Sequence, residues 1–445
     1  MAVHRAHRAP GPGPFRLPEH GTPARDALEH VRGELALDGS ARLNLATFVT
    51  TWMEPEAREL VAECLEKNMI DKDEYPQTAE LERRCLSMLG DLWHAERDEV
   101  PTGTSTTGSS EASMLAGLAL KWRWRARRQA AGLEATTPNL VMGANVQVCW
   151  EKFCCYWDVE PRLVPVGDGA THLTAERAVA SSDEHTIGVV AVLGSTFDGT
   201  YEPVEAIAGA LDALQRDRGI DVPLHVDAAS GGFVAPFLDP DLTWDFRLPR
   251  VQSINASGHK YGLVYPGVGW VVWRSAEALP EELVFHVDYL GGHMPTFALN
   301  FSRPGAQVVA QYYTLVRQGR EGMRRVQQAS RDTARRLADR LGAMPAFELV
   351  SDAGGIPAFA FRLADGAGGF SVFDVSELLR LRGWLVPAYR FPPALEDLAV
   401  LRVVVRHGFG DDLADVLLDD VARAVERLSR TGGVAPEEHH AAFHH

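Results

Sequence analysis

The chain is 445 residues long, 46% hydrophobic and 23% charged, with a net charge of −16 at pH 7. Length and apolar share suffice for a large core and more than one domain, while the acidic balance argues against nucleic-acid or anionic-membrane partners, which need clustered Lys and Arg. No apolar run approaches a membrane span, the basic, Pro/Gly-rich start lacks an apolar signal core, and the five cysteines show no zinc spacing, which fits a reduced, cytoplasmic protein best.

Residues 1–42 read as an irregular arm, with Pro and Gly early and a short charged amphipathic stretch near 27–37. A globular pattern begins at Leu43. "EPEARELVAECLEKNM" places Leu60, Val61, Cys64 and Leu65 on one helical face. "SSEASMLAGLALKWRWRARRQA" reads as a long helix capped by Ser109 or Ser110, with Glu111 in its first turn. "TIGVVAVLG", "VPLHVDA", "VQSINAS" and "GVGWVVWR" read as buried strands, the first two separated by a helix near 203–218. Buried apolar strands alternating with helices predict a parallel α/β sheet. Beyond about residue 330 the texture becomes that of a smaller α+β domain: helix over 332–344, strands in "PAFAFRL" and "LAVLRVVVR", helix over 412–430. This divides the chain into an arm (1–42), a large domain (43–330), a small domain (331–434) and a tail (435–445).

Three stretches sit where strands give way to helices or loops. "GTSTTGSSEASM" offers small hydroxylated residues and Gly108 before a helix, where free N–H groups and the helix dipole suit a phosphate. "HVDAASGGF" ends an apolar strand on Asp227, which can face a ring nitrogen while small residues let a flat cofactor lie close. "SINASGHKYG" puts Lys260 after a buried strand, where an ordinary solvated lysine does not belong. Taken singly, each has a plainer reading: a helix cap, a strand-end Asp capping a turn, an edge lysine beside a structural His259. Together they supply a phosphate cradle, a carboxylate for a pyridinium and an amine for an aldehyde, the parts that pyridoxal phosphate needs. The carboxylate keeps the ring nitrogen protonated, and a poorly solvated amine near cationic groups is easier to deprotonate.

These stretches, with "NVQVCWEKF", "WDFRLP" and "NLATF", resemble the glutamate decarboxylase family, within the group II decarboxylases of fold-type I pyridoxal-phosphate enzymes; the resemblance runs from about Leu43 to His407. It implies an α/β fold of the fold-type I transferase kind, with a mostly parallel seven-stranded sheet, a small C-terminal α+β domain, and an N-terminal segment that helps hold a dimer. It also implies decarboxylation of L-glutamate to 4-aminobutyrate and carbon dioxide, with uptake of a proton. By the same resemblance Lys260 anchors the cofactor and Asp227 faces its ring nitrogen. Gln147 and Ala229 lie on opposite ring faces. Ser109, Ser110, Ser257 and His259 hold the phosphate end, and Thr196 lies near the cofactor hydroxyl. Ser302 reaches a phosphate across the dimer, so that the site is complete only with two copies; some relatives form hexamers.

For the substrate, Thr47, Phe48, Asn68 and Asp71 match the distal-carboxylate pocket and Arg402 the α-carboxylate site. A carboxylate at Asp71 repels a substrate carboxylate unless the two share a proton, so binding is expected to improve at mildly acidic pH. Tyr289, in "ELVFHVDYLGG", is the candidate for assisting protonation of the product carbon. By the same resemblance to some bacterial members, His444 or His445 could fold into the site and block it at neutral pH; a disordered tail is an equal alternative, and loose metal binding by the four tail histidines a further one. Glu151 stands where some bacterial members have a histidine. Glu437 and Glu438 without any Lys predict no calmodulin binding. Two other readings stay open: decarboxylation of aspartate or another acidic amino acid, and a non-catalytic, cofactor-binding scaffold.

Overall fold

The computed structural model describes residues 16–95, 101–167, 170–287 and 294–433, and divides into two units at Ala41/Arg42. In the first unit the one described helix, α1 (Ala24–Leu35), buries none of its residues; Asp26 opens it and Arg32 closes it, in the favourable sense for the helix dipole.

In the second unit seven strands form one sheet: β1 (Gly103–Thr106), β2 (Asn139–Gly143), β3 (Glu160–Val164), β4 (Thr186–Val192), β5 (Leu224–Asp227), β6 (Val251–Ala256) and β7 (Gly269–Trp273), in the order β1-β7-β6-β5-β4-β2-β3. Every residue of β2, β4, β5 and β7 is buried. Such strands are covered on both faces and read as continuous Val/Ile-rich runs. β3, β2, β4, β5 and β6 pair in parallel. Helices α2 (Pro55–Glu63), α3 (Pro76–Leu92), α4 (Ser109–Ala130), α5 (Val148–Tyr156), α6 (Ala175–Ala180), α7 (Val204–Arg218) and α8 (Ala235–Leu238) accompany the sheet. Trp150, Phe153, Trp244, Trp270 and Trp273 are sealed in its core, each contributing about 1.5–3 kcal/mol of hydrophobic stabilisation.

β7 departs from the expected parallel arrangement: it runs antiparallel to β6, and β1 antiparallel to β7. A parallel return needs a covering crossover, generally helical. The chain instead spends residues 257–268 on the tight loop that carries Lys260, so β7 turns straight back.

β8 (Phe285–Val287) pairs with β9 (Met294–Thr296). α9 (Ala306–Gly342) then packs against α2 and α3 with one half and against the small sheet with the other. Gly319 (φ 56°, ψ −174°) breaks the helix between those halves, a backbone state that only glycine adopts cheaply. The small sheet, β10 (Phe347–Leu349), β11 (Ala358–Leu363), β12 (Ala388–Arg390) and β13 (Ala399–Val404), has the antiparallel order β10-β11-β13-β12. With α10 (Val372–Arg380), α11 (Asp411–Thr431) and the end of α9 it encloses Leu337, Leu341, Phe359, Phe361, Leu379, Trp384, Leu401 and Leu417.

Two local expectations fail. α2 stops at Glu63, and Leu65 is 71% exposed rather than on a buried face. A tight turn over residues 64–67 redirects the chain so that Met69 N–H reaches Arg303 O at 2.9 Å, and this tertiary pairing outweighs the helical period. Neither Ser109 nor Ser110 caps α4. Gly108 holds the N-cap position, and Glu111 takes up Thr107 N–H at 2.8 Å and Thr107 Oγ1 at 2.9 Å.

Candidate active site

The ends of β5 and β6, the start of α4 and the strand β13 converge on Lys260. On one side lies the α4 N-terminus, whose unpaired N–H groups and positive dipole end suit an anion. Ser257 Oγ donates to Ser109 Oγ at 2.7 Å, drawing the lysine loop onto this helix start. A Cβ built on Gly108 would meet His259 Cε1 at 3.0 Å, and one on Gly269 would meet Gly108 C at 2.5 Å. The absence of side chains at these two positions makes that close approach possible. Burial pushes the His259 imidazole down to about 4, so the ring is neutral. Its Nδ1 is buried with no partner among the described residues. Ser110 is exposed in the first turn of α4.

On another side Asp227, 4% exposed, ends β5. Its Oδ1 accepts from Ala229 N–H and Asn255 Nδ2, each at 3.1 Å, and its Oδ2 from Trp150 Nε1 at 2.8 Å. Gln147 caps α5, its side chain accepting from Cys149 N–H at 2.6 Å, which fixes the amide one turn before Trp150.

Lys260 itself is half-buried, and its Nζ donates to Ser230 Oγ at 3.4 Å. Burial pushes its ammonium below the ordinary lysine range; Arg402 adds to this, while Asp227 and Cys149 oppose it. Thr50 holds the loop from below, through its Oγ1 to Lys260 O at 2.6 Å and its N–H to His259 O at 2.7 Å.

Arg402, from β13, is 8% exposed. Its Nη1 donates to Thr196 O and its Nη2 to Ala46 O at 2.6 Å. Its guanidinium lies 4.7 Å from the centroid of the Phe48 ring and 5.6 Å from that of Tyr389. Arg402 Nε is buried without a partner among the described residues, a donor held ready for an acceptor. The loop bearing Thr47 and Phe48 is shaped by Asn44 Oδ1, which takes Ala46 and Thr47 N–H groups at 3.0 and 3.2 Å. Arg406 ties this loop to the small domain through Val49 O at 2.9 Å and Thr51 Oγ1 at 2.7 Å.

The structure thus gathers Lys260, Asp227, Ala229, His259, Ser257, Ser109, Phe48, Thr196 and Arg402 around one site. Asn68 and Ser302 form a second cluster, with Asn68 Nδ2 donating to Ser302 Oγ at 3.3 Å and Asn68 Oδ1 accepting from Arg303 N–H at 3.0 Å. Asp71 follows within one turn. Tyr289, His444 and His445 lie outside the described residues. Among the described residues no three His, Cys, Asp or Glu side chains gather to hold a metal ion, and no helix is long and apolar enough to cross a membrane.

The unpartnered Arg402 Nε donor, the unpartnered polar ring nitrogen of His259, the helix start and the desolvated amine fit pyridoxal phosphate. A family model for the pyridoxal-dependent decarboxylase conserved domain matches residues 18–364. The chain belongs to the pyridoxal-dependent decarboxylase family. It is 54% identical to the glutamate decarboxylase of Aliivibrio fischeri over 94% of this chain and 90% of that one. To the glutamate decarboxylase of Solanum lycopersicum it is 51% identical over 93% and 83%. Among solved structures, Lactobacillus brevis glutamate decarboxylase superposes with a TM-score of 0.93 at 47% identity, covering 97% of this chain and 98% of that one. A Burkholderia pseudomallei sphingosine-1-phosphate lyase shares the fold at a TM-score of 0.79 and 24% identity. As a decarboxylase of this family the protein uses pyridoxal phosphate.

Sequence reasoning missed Trp150, His225, Ser230, Asn255 and Tyr389. Two of these were within reach. His225 precedes Asp227 by two residues, as Ser253 precedes Asn255, and in a strand such pairs share a face.

Proposed function

We propose that this protein is a glutamate decarboxylase, converting L-glutamate to 4-aminobutyrate and carbon dioxide with uptake of one proton. The observation that carries this reading is the convergence of Lys260, Asp227 and Arg402, with Arg402 Nε left free in a buried position.

Pyridoxal phosphate, when bound, supplies a sink for the electron pair released as the carboxylate leaves. Ser109, Ser110, Ser257 and His259 with the α4 N-terminus would hold its phosphate end, Gln147 and Ala229 would flank the ring, and Thr196 would lie by its hydroxyl. Burial lowers the proton affinity of Lys260, which favours the amine form that would anchor the cofactor. Arg402 binds the α-carboxylate and sets its direction against the ring. Buried Phe48 and half-buried Tyr389 line that carboxylate's place and limit the access of water, strengthening the charge pairing. Thr47 and Phe48 receive the distal carboxylate.

We place the Asn68–Asp71–Ser302 cluster at the site of a second copy, so the working unit is at least a dimer and a hexamer is compatible with it. The exposed side chain of Ser302 and its bond to Asn68 support this assignment. The arm (1–42), cofactor domain (43–330), small domain (331–434) and tail (435–445) are the proposed parts, and composition and cysteine usage favour a cytoplasmic setting.

Carbon dioxide release with L-glutamate and with L-aspartate, at acidic and neutral pH, tests the reading, with Lys260→Ala as control. Release from glutamate alone, lost in the variant, supports it; release from aspartate instead, or from neither, overturns it.

A further inference from the structure

Behind Asp227 lies a block of four polar side chains across the parallel β5/β6 ladder, where His225 registers with Ser253 and Asp227 with Asn255. All four are at most 4% exposed. Polar groups sealed this well are retained only when their hydrogen bonds are made. Ser253 Oγ lies 2.8 Å from His225 Nδ1, His225 Nε2 lies 2.7 Å from Asn255 Oδ1, and Asn255 Nδ2 lies 3.1 Å from Asp227 Oδ1.

The direction of every bond follows from the last. A carboxylate only accepts, so the Asn255 amide must turn its NH2 towards Asp227 and its oxygen towards His225. That oxygen needs a donor, so His225 carries its proton on Nε2. Burial pushes the His225 imidazole down to about 4, which leaves it neutral, with Nδ1 as an acceptor for the Ser253 hydroxyl. All three donors therefore point towards Asp227, an alignment in which each bond polarises the next. The Trp150 ring packs 5.1 Å from the His225 ring and gives its own N–H to Asp227 Oδ2.

Lone-pair counting then distinguishes the two oxygens. Oδ1 takes Ala229 N–H and Asn255 Nδ2 and is filled; Oδ2 takes Trp150 Nε1 and keeps one place open. We propose that Ser253, His225 and Asn255 are positioning residues, a one-way donor line that locks the Asp227 carboxylate so that Oδ2 alone is presented to the cofactor's ring nitrogen. This rests on the reading of Asp227 as the ring-nitrogen partner.

The test compares His225→Leu, His225→Gln, Asn255→Asp and Asp227→Asn by two readouts. One is the dissociation constant for pyridoxal phosphate in reconstitution of the apoenzyme. The other is the 15N resonance of cofactor labelled at the ring nitrogen in the holoenzyme. His225→Leu and Asn255→Asp are expected to loosen the cofactor about tenfold and to move the resonance towards the unprotonated position. His225→Gln, whose amide restores a donor towards Asn255, is expected to recover both. Asn255→Asp keeps its size, so the question stays open to experiment even if His225→Leu fails to fold. An unchanged resonance in Asp227→Asn would overturn the reading of Asp227 and the donor line with it. A shift in Asp227→Asn with none in Asn255→Asp, or a His225→Gln as damaged as His225→Leu, would overturn the donor line alone.

Discussion

The ring of Phe48 lies 4.7 Å from the guanidinium of Arg402, and the Nζ of Lys260 lies 5.5 Å from the same ring. One aromatic side chain thus separates the cation proposed to hold the α-carboxylate from the amine proposed to hold the cofactor. A cation over an aromatic face is stabilised by about 0.5–2 kcal/mol. Phe48→Leu keeps most of the volume and removes the ring's electron-rich face. Its KM for glutamate should rise by about three- to thirtyfold, with a modest fall in the thermal midpoint because Phe48 is also a buried core residue. Steady-state kinetics beside a melting curve would check this, and an unaltered KM would refute the role given to the ring.

Arg402→Lys retains the charge but loses the planar fork. Lysine cannot donate to Thr196 O, Ala46 O and a substrate carboxylate in the directions that the guanidinium uses. The expected loss in kcat/KM is roughly a hundredfold. Stability should fall as well, because Arg402 joins β13 to the loops of the large domain, and a urea titration of the same variant would separate the two effects.

His225 and His259 are both held near 4 by burial, against about 6.5 in an unfolded chain. Between those values the unfolded chain binds a proton at each and the native state does not. Their contribution to stability is therefore complete above pH 6.5 and is lost as the pH falls towards 4, amounting to about 3 kcal/mol each. Urea midpoints of the holoenzyme should drop between pH 7 and 4.5, and His225→Gln should flatten that drop by about half. Identical slopes in the two proteins would contradict this account.

Asp71, if it shares a proton with the substrate's distal carboxylate, makes binding tighter in acid. KM for glutamate should then rise from about pH 4.5 to 7 in the parent protein and stay nearly flat in Asp71→Asn. A parent KM that is flat or falls across this range would remove the shared proton from the mechanism.

The buried strands at 186–194, 222–228 and 251–257 and the long helix from Ser109 were legible in the chain because each is a local matter. An unbroken apolar run or a helical period is written in adjacent residues. The position of Lys260 after a buried strand was legible for the same reason, but that alone left an edge lysine and a desolvated amine both open, and only its combination with Asp227 and the start of α4 favoured the amine. The end of α2 before Leu65, the reversal of β7 and the donor line behind Asp227 were not. Met69 meets Arg303, and His225 meets Asn255, only once strand register and loop path are set. The sequence by itself determined which segments are buried and that a lysine stands at the end of one of them. Tertiary structure decided which distant polar groups become partners, because a hydrogen bond depends on ångström-scale register between segments that the chain order leaves unrelated.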